Sequence, residues 1–137
     1  MSRKNNLRKF DSIVAGSMSG TNTLTSSVTD VQWLDDIGYQ FVWTGSPTGN
    51  ISIEVSADYA PGGPVGSGPA NAGNWTPLTL SYWNGASFTT SNSIPTSVGS
   101  PVYIDLTLLS APWIRAKYTN VSGSGTLTAT ITAKEVG

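Results

Sequence analysis

Tyr39-Gln40-Phe41-Val42-Trp43-Thr44-Gly45-Ser46-Pro47-Thr48-Gly49-Asn50-Ile51-Ser52-Ile53-Glu54-Val55-Ser56 reads as two strands and the turn between them. Side chains two residues apart on an extended chain point to the same side. Tyr39, Phe41 and Trp43 therefore form one aromatic face. Ile51, Ile53 and Val55 alternate with Ser52, Glu54 and Ser56 in the same way. Between the two runs, Gly45 to Asn50 holds two glycines and Pro47, which punctuate a strand. A short hairpin loop is expected there.

The same period continues outward. Leu78, Leu80 and Tyr82 alternate with polar residues, as do Ile104, Leu106 and Leu108. Ile114, Ala116 and Tyr118 do likewise, and so do Leu127, Ala129, Ile131 and Ala133. Weaker strands are expected at residues 11–17, 21–28 and 30–34. Ser122-Gly123-Ser124-Gly125 is expected to join the last two strands as a second hairpin. No stretch sustains a helical period. The pattern predicts an all-β fold, a two-sheet antiparallel β-sandwich of jelly-roll type over residues 10–137. Residues 60–74 carry Pro61, Pro64 and Pro69 among glycines and are expected to be a long loop, either solvated or ordered against a partner.

At 137 residues the chain is the size of one domain with a substantial core. It has no cysteine and no histidine. Disulfides, thiolate metal sites and thiol nucleophiles are excluded, and the commonest general base is missing. Only 11% of residues are charged. Arg3, Lys4, Arg8 and Lys9 precede the first acid, Asp11, and the rest of the chain carries 3 − 8 = −5. Residues 1–9 are thus expected to be a flexible basic arm on an acidic body. No apolar run reaches the ~20 residues of a membrane span, and no apolar segment follows the basic start as in a secretory signal. Synthesis in a host cytoplasm, with no membrane partner, is expected. Four basic residues without interleaved aromatics are a weak nucleic-acid signal, and the acidic body opposes a polyanion. No nucleic acid is expected either. Docking of the arm on a neighbouring subunit, with Leu7 or Phe10 as apolar anchor, is the simpler expectation.

No constellation of catalytic groups stands out. Asp30, Asp35 and Asp36 lack calcium-loop spacing. Glu54 and Asp105 are two strand carboxylates, but a glycosidase requires them at a set separation in one cleft. Neither Lys117 nor Lys134 belongs to a Ser-x-x-Lys motif. The chain is expected not to be an enzyme, with no catalytic, cofactor or metal site. Binding surfaces are the remaining class. Of the tryptophans, Trp43 belongs to the aromatic face, Trp75 and Trp83 flank a strand beside loops, and Trp113 shares a face with Arg115 and Lys117. The candidate partner-binding residues are Arg3, Lys4, Leu7, Arg8, Lys9, Trp75, Trp83, Trp113 and Arg115.

From Tyr39 to Glu135 the chain resembles the small β-sandwich structural proteins, of decoration or cement type, of tailed bacteriophage virions. The resemblance is carried by Phe41 to Ser56, Trp75-Thr76-Pro77-Leu78, Ile104-Asp105-Leu106, Pro112-Trp113-Ile114-Arg115-Ala116-Lys117-Tyr118 and Ser122 to Leu127. It implies a place in a virus particle and transfers no catalytic residue. The residue 60–74 loop and the basic arm lie outside it. On this basis the chain is expected to be a capsid decoration or cement protein that binds the major capsid protein or other virion proteins. Self-association is expected as well, with a trimer as the first expectation. The alternative is a tail, adaptor or receptor-binding component whose tryptophans contact host surface glycans.

Overall fold

The computed structural model describes residues 5–59, 73–106 and 110–136. Strands form where the period-two segments lie. In chain order they are β1 (Asn5–Ser19), β2 (Thr23–Thr25), β3 (Thr29–Asp30), β4 (Leu34–Trp43), β5 (Thr48–Ser56) and β6 (Thr76–Pro77). They continue with β7 (Leu80–Trp83), β8 (Phe88–Ser91), β9 (Ile94–Pro95), β10 (Val102–Leu106), β11 (Trp113–Ser122) and β12 (Ser124–Val136). A single 3-10 turn, Thr96–Val98, precedes β10 among the described residues.

One sheet runs β1-β12-β4-β10 and the other β2-β11-β5-β6, with β3 also on β11 and β9 also on β5. β7 and β8 pair as a separate ribbon. The position beside β5 is thus filled by two short pieces, β6 on Glu54 and Val55 and β9 on Asn50 and Ile51. With those pieces as one strand and β3 set aside, the sheets read 1-8-3-6 and 2-7-4-5 in chain rank. That is the order of a jelly roll, in which successive strands mostly alternate between sheets. The described ladders are antiparallel.

The core lies between the sheets. Tyr39, Phe41 and Trp43 of β4 and Leu127, Ala129 and Ile131 of β12 face Ile51 and Ile53 of β5 and Ile114 and Tyr118 of β11, all buried. Tyr39 stacks on Phe41 with ring centroids 5.4 Å apart. Burying aromatic rings of this size supplies much of the hydrophobic driving force. The Tyr39 hydroxyl has no hydrogen-bond partner among the described residues. Burial pushes its ionisation well above that of ordinary tyrosine, and the nearby Ser12 hydroxyl offsets a little of the shift.

Two expectations are corrected here. The segments Gly45–Asn50 and Ser122–Gly125 are not hairpins, because β4 and β5 lie in different sheets, as do β11 and β12. Each segment arches from one sheet to the other. The reason is that the aromatic face of β4 and the aliphatic face of β5 cover each other across the core rather than sharing one surface. The arches pack side by side: the Ser46 amide donates to Ser124 O at 3.1 Å, and the Thr44 amide to Thr126 O at 3.0 Å. A Cβ on Gly45 would collide with Ser124 O, and one on Gly123 with Ser46 O. The buried Thr96 hydroxyl ties down the first arch, donating to Pro47 O at 2.9 Å and accepting from the Gly49 amide at 3.1 Å.

The arm boundary is the second correction. Residues 5–9 belong to β1, paired in register with β12 from Asn5 opposite Val136 to Lys9 opposite Thr132. Backbone hydrogen bonds hold this stretch, and they do not require the apolar alternation by which strands are recognised in sequence. Residues 1–4, like most of the 60–74 loop and Leu108, lie outside the described residues.

Candidate partner-binding surfaces

β11 and β5 are neighbours, and their register sets Arg115 opposite Glu54 on the outer face of the second sheet. Arg115 Nε donates to Glu54 Oε1 at 2.8 Å, and the side chains retain only 16% and 12% exposure. The guanidinium carbon also lies 4.2 Å from the centroid of the Trp75 ring, a cation–π contact. Trp75 continues to Tyr59 (5.6 Å between centroids), and Tyr59 to Trp113 in an edge-to-face contact at 5.2 Å. Trp75, Trp113 and Arg115 therefore belong to one row, Glu54–Arg115–Trp75–Tyr59–Trp113. The Trp75 indole nitrogen is buried without a hydrogen-bond partner among the described residues.

Beside this row, Asp58 closes the base of the long loop. Its Oδ1 accepts from the Asn74 amide at 2.8 Å and from Ser56 Oγ at 2.9 Å, while Oδ2 accepts from Asn74 Nδ2 at 2.6 Å. These bonds, the Asn74 amide foremost, hold the Asp58 carboxyl below the ordinary aspartate range. A cleft of about 380 Å³ opens here, lined by Val55, Ser56, Asp58, Asn74, Thr76 and Ala111.

Trp83 is elsewhere. It stands at the tip of the β7–β8 ribbon, edge-to-face with Phe88 at 5.5 Å. Trp83 is 52% exposed and Phe88 71%. The turn is shaped by the Asn84 side-chain oxygen, which accepts from the Ala86 and Ser87 amides, both at 2.9 Å.

Leu7, Arg8 and Lys9 lie on β1, the edge of the first sheet. Leu7 is 72% exposed. Arg8 lies over the Trp33 ring, 5.5 Å from its centroid. The outer face of this sheet is rich in hydroxyls: Thr130 Oγ1 donates to Asp11 Oδ1 at 2.7 Å, and Thr132 Oγ1 shares a hydrogen bond with the Tyr103 hydroxyl at 3.2 Å. Tyr103 lies across Gly38, where any side chain would displace it. A shallow hollow of about 390 Å³ is lined by Leu7, Asp36, Tyr103, Asp105, Thr132 and Lys134. Arg3 and Lys4 lie outside the described residues.

The candidate residues thus divide among three surfaces. Tyr59, Phe88 and the Asp58–Asn74 clasp were not singled out from the sequence. The asparagine and aspartate flanking a glycine- and proline-rich stretch were the available signal for the clasp. Glu54 and Asp105 belong to the outer faces of opposite sheets, Glu54 bound to Arg115 and Asp105 in the hollow beside Tyr103. They do not share a cleft. Asp30 Oδ1 accepts from the Gln32 amide at 3.0 Å, and no group of three or more potential metal ligands occurs among the described residues.

No family model matches the chain, and no curated protein matches it. Among solved structures, the SPBc2 prophage-derived protein YomS superposes with a TM-score of 0.62 at 12% identity, covering 98% of each chain. A protein of infectious bursal disease virus, Gx strain, matches with a TM-score of 0.38 at 13% identity, over 98% of this chain and 32% of its own. Latent PorU from Porphyromonas gingivalis gives the same TM-score, 0.38, with 13% of its own chain covered. At these identities the likeness is one of fold, and the prophage-derived protein shares that fold from end to end.

Proposed function

We propose that this chain is a structural component of a bacteriophage particle, seated on the head as a decoration or cement protein against the major capsid protein. The observation that carries the reading is the end-to-end fold match with a prophage-derived protein, 98% of each chain. Three features of the molecule support it: a hydroxyl-rich outer sheet face, a strand, β1, at the sheet edge among the described residues, and the exposed pair of Trp83 and Phe88. In this reading it acts by binding, without cofactor or chemistry, and copies of it associate with one another.

The test is localisation on purified particles by electron microscopy with an antibody against the chain. Labelling distributed over the head supports the proposal. Labelling confined to the tail or a vertex overturns it and favours a tail, adaptor or receptor-binding role. Trp83 is the residue that favours this second reading, because its half-exposed ring is open to stacking on a sugar. Trp75 offers less, since Arg115 covers its ring and is itself tied to Glu54.

A further inference from the structure

Asn84 is followed by Gly85, and no other asparagine of the chain precedes a glycine. The pair lies in the turn of the β7–β8 ribbon, just past Trp83 and Phe88, which stand opposite each other at its tip. Asn84, Gly85, Ala86 and Ser87 are all exposed. An asparagine side chain is an amide, and the main-chain nitrogen of the next residue can attack its carbonyl carbon to close a five-membered ring. Two things ordinarily oppose this: a side chain on the following residue crowds the attack, or a hydrogen bond engages the attacking N–H. Neither operates at Gly85. It has no Cβ, its φ of 98° suits glycine, and its amide has no hydrogen-bond partner among the described residues.

The turn adds a directing effect. Asn84 Oδ1 accepts from the Ala86 and Ser87 amides, both at 2.9 Å, and the Asn84 amide donates to Ser87 O at 3.0 Å. Both side-chain bonds reach residues beyond Gly85, so the side chain is folded forward along the chain, toward the amide that attacks. The same two donors sit on the oxygen that gains negative charge as the carbon becomes tetrahedral, the arrangement that stabilises an oxyanion. The other asparagines lack this combination. Asn50 and Asn120 precede the β-branched Ile51 and Val121, and Asn120 is buried. Asn74 precedes Trp75, and its side-chain amide is held by Asp58.

We propose that Asn84 is a site of spontaneous deamidation, converting to aspartate and isoaspartate in the folded protein. The Gly85 nitrogen loses its proton and forms a bond to Asn84 Cγ. The bond from Cγ to Nδ2 breaks, and ammonia leaves with that proton. Water then opens the cyclic imide. Cleavage of the new bond gives an aspartate, while cleavage of the original peptide bond gives an isoaspartate, whose main chain runs through Cγ and is one methylene longer. The aspartate retains an oxygen for the two turn amides, whereas isoaspartate changes the spacing of the turn itself. Either product takes the chain's charge to −1 − 1 = −2. It does so where charge is scarcest, since Tyr59 to Ile104 contain no Asp, Glu, Lys or Arg. The new carboxylate stands beside two exposed rings, so conversion weakens apolar docking on the tip and leaves the core untouched. The reaction belongs to the turn and holds whatever the protein binds.

Incubation of the full chain at mildly alkaline pH, followed by ion exchange and peptide mapping by mass spectrometry, tests this. A more acidic species is expected to accumulate, with the mass gain confined to the peptide that contains Asn84 and both product isomers resolved. Gly85→Ala is expected to slow its appearance roughly tenfold or more, since a Cβ beside the attacking nitrogen crowds ring closure. Asn84→Ser, whose hydroxyl can still accept from the turn amides, is expected to yield none of it. Circular dichroism checks that each variant keeps its strands, and the same incubation in urea gives the rate in the unfolded chain. Absence of conversion at Asn84 in the folded chain overturns the proposal, and conversion there in urea alone would make the turn a guard rather than a site. So do earlier conversion at another asparagine, Gly85→Ala reacting as fast as wild type, or an equal yield of the acidic species from Asn84→Ser.

Discussion

Arg115 joins two kinds of contact on one side chain. Its charge pairs with Glu54, and its flat guanidinium covers the Trp75 ring. Arg115→Ala is expected to lower stability by about 2 kcal/mol in urea denaturation, because it uncovers the indole and leaves a largely buried carboxylate without its partner. Arg115→Lys should fall between, since an ammonium lacks the planar face. A lysine variant no better than alanine would mean that the stacking dominates. Asp58 makes a different kind of prediction. Its folded-state pKa lies below the ordinary value of about 3.9, so its contribution is fully present above that value and is lost as pH falls through the lower folded one. The Asn74 amide resonance is expected to move in that acid window and to stay still in Asp58→Asn. Movement centred above about pH 4 would place the cause elsewhere.

The two arches couple elements of opposite sheets at a single contact. Gly45 and Gly123 have φ of 76° and 75°, where a side chain is strained, and each faces the carbonyl of the other arch. Alanine at either position should destabilise by about 2–4 kcal/mol, and the double change by less than the sum, because both relax the same contact. Thermal unfolding of the three variants measures this, and full additivity would show the arches to be independent. The arches also show what the sequence could convey. Alternation in Tyr39–Trp43 and Ile51–Val55 states which side chains share a face, and all but half-buried Val55 are buried. It does not state whether two adjacent faces lie in one sheet or across from each other, since a glycine-rich link serves both. Likewise Asn5–Lys9 shows only Leu7 as an apolar position, and that side chain is exposed, so its strand is invisible to a burial pattern. The row through Arg115, Trp75 and Tyr59 joins segments far apart in the chain, a relation that no local spacing encodes.

At the scale of the whole molecule, the fold is made of long-range pairs. The first and last described strands are neighbours, and the second sheet joins β5 to β11. Loops of such length must close before their contacts form, so folding is slow compared with a helical domain of this size. The same closure decides how the molecule carries load. Asn5 stands opposite Val136, so tension applied at those two ends peels β1 from β12 one pair at a time. Tension between Thr21 and Val136 is directed instead along the strands, because Ser19 lies opposite Ser124 at the far end of the same ladder. All the hydrogen bonds between the strands then resist together. In an optical trap, handles at residues 5 and 136 are expected to open the domain at distinctly lower force than handles at 21 and 136. Equal forces would show that another element yields first. A protein loaded at both ends would act as a soft release, whereas one gripped by the turn after β1 would act as a stiff strut.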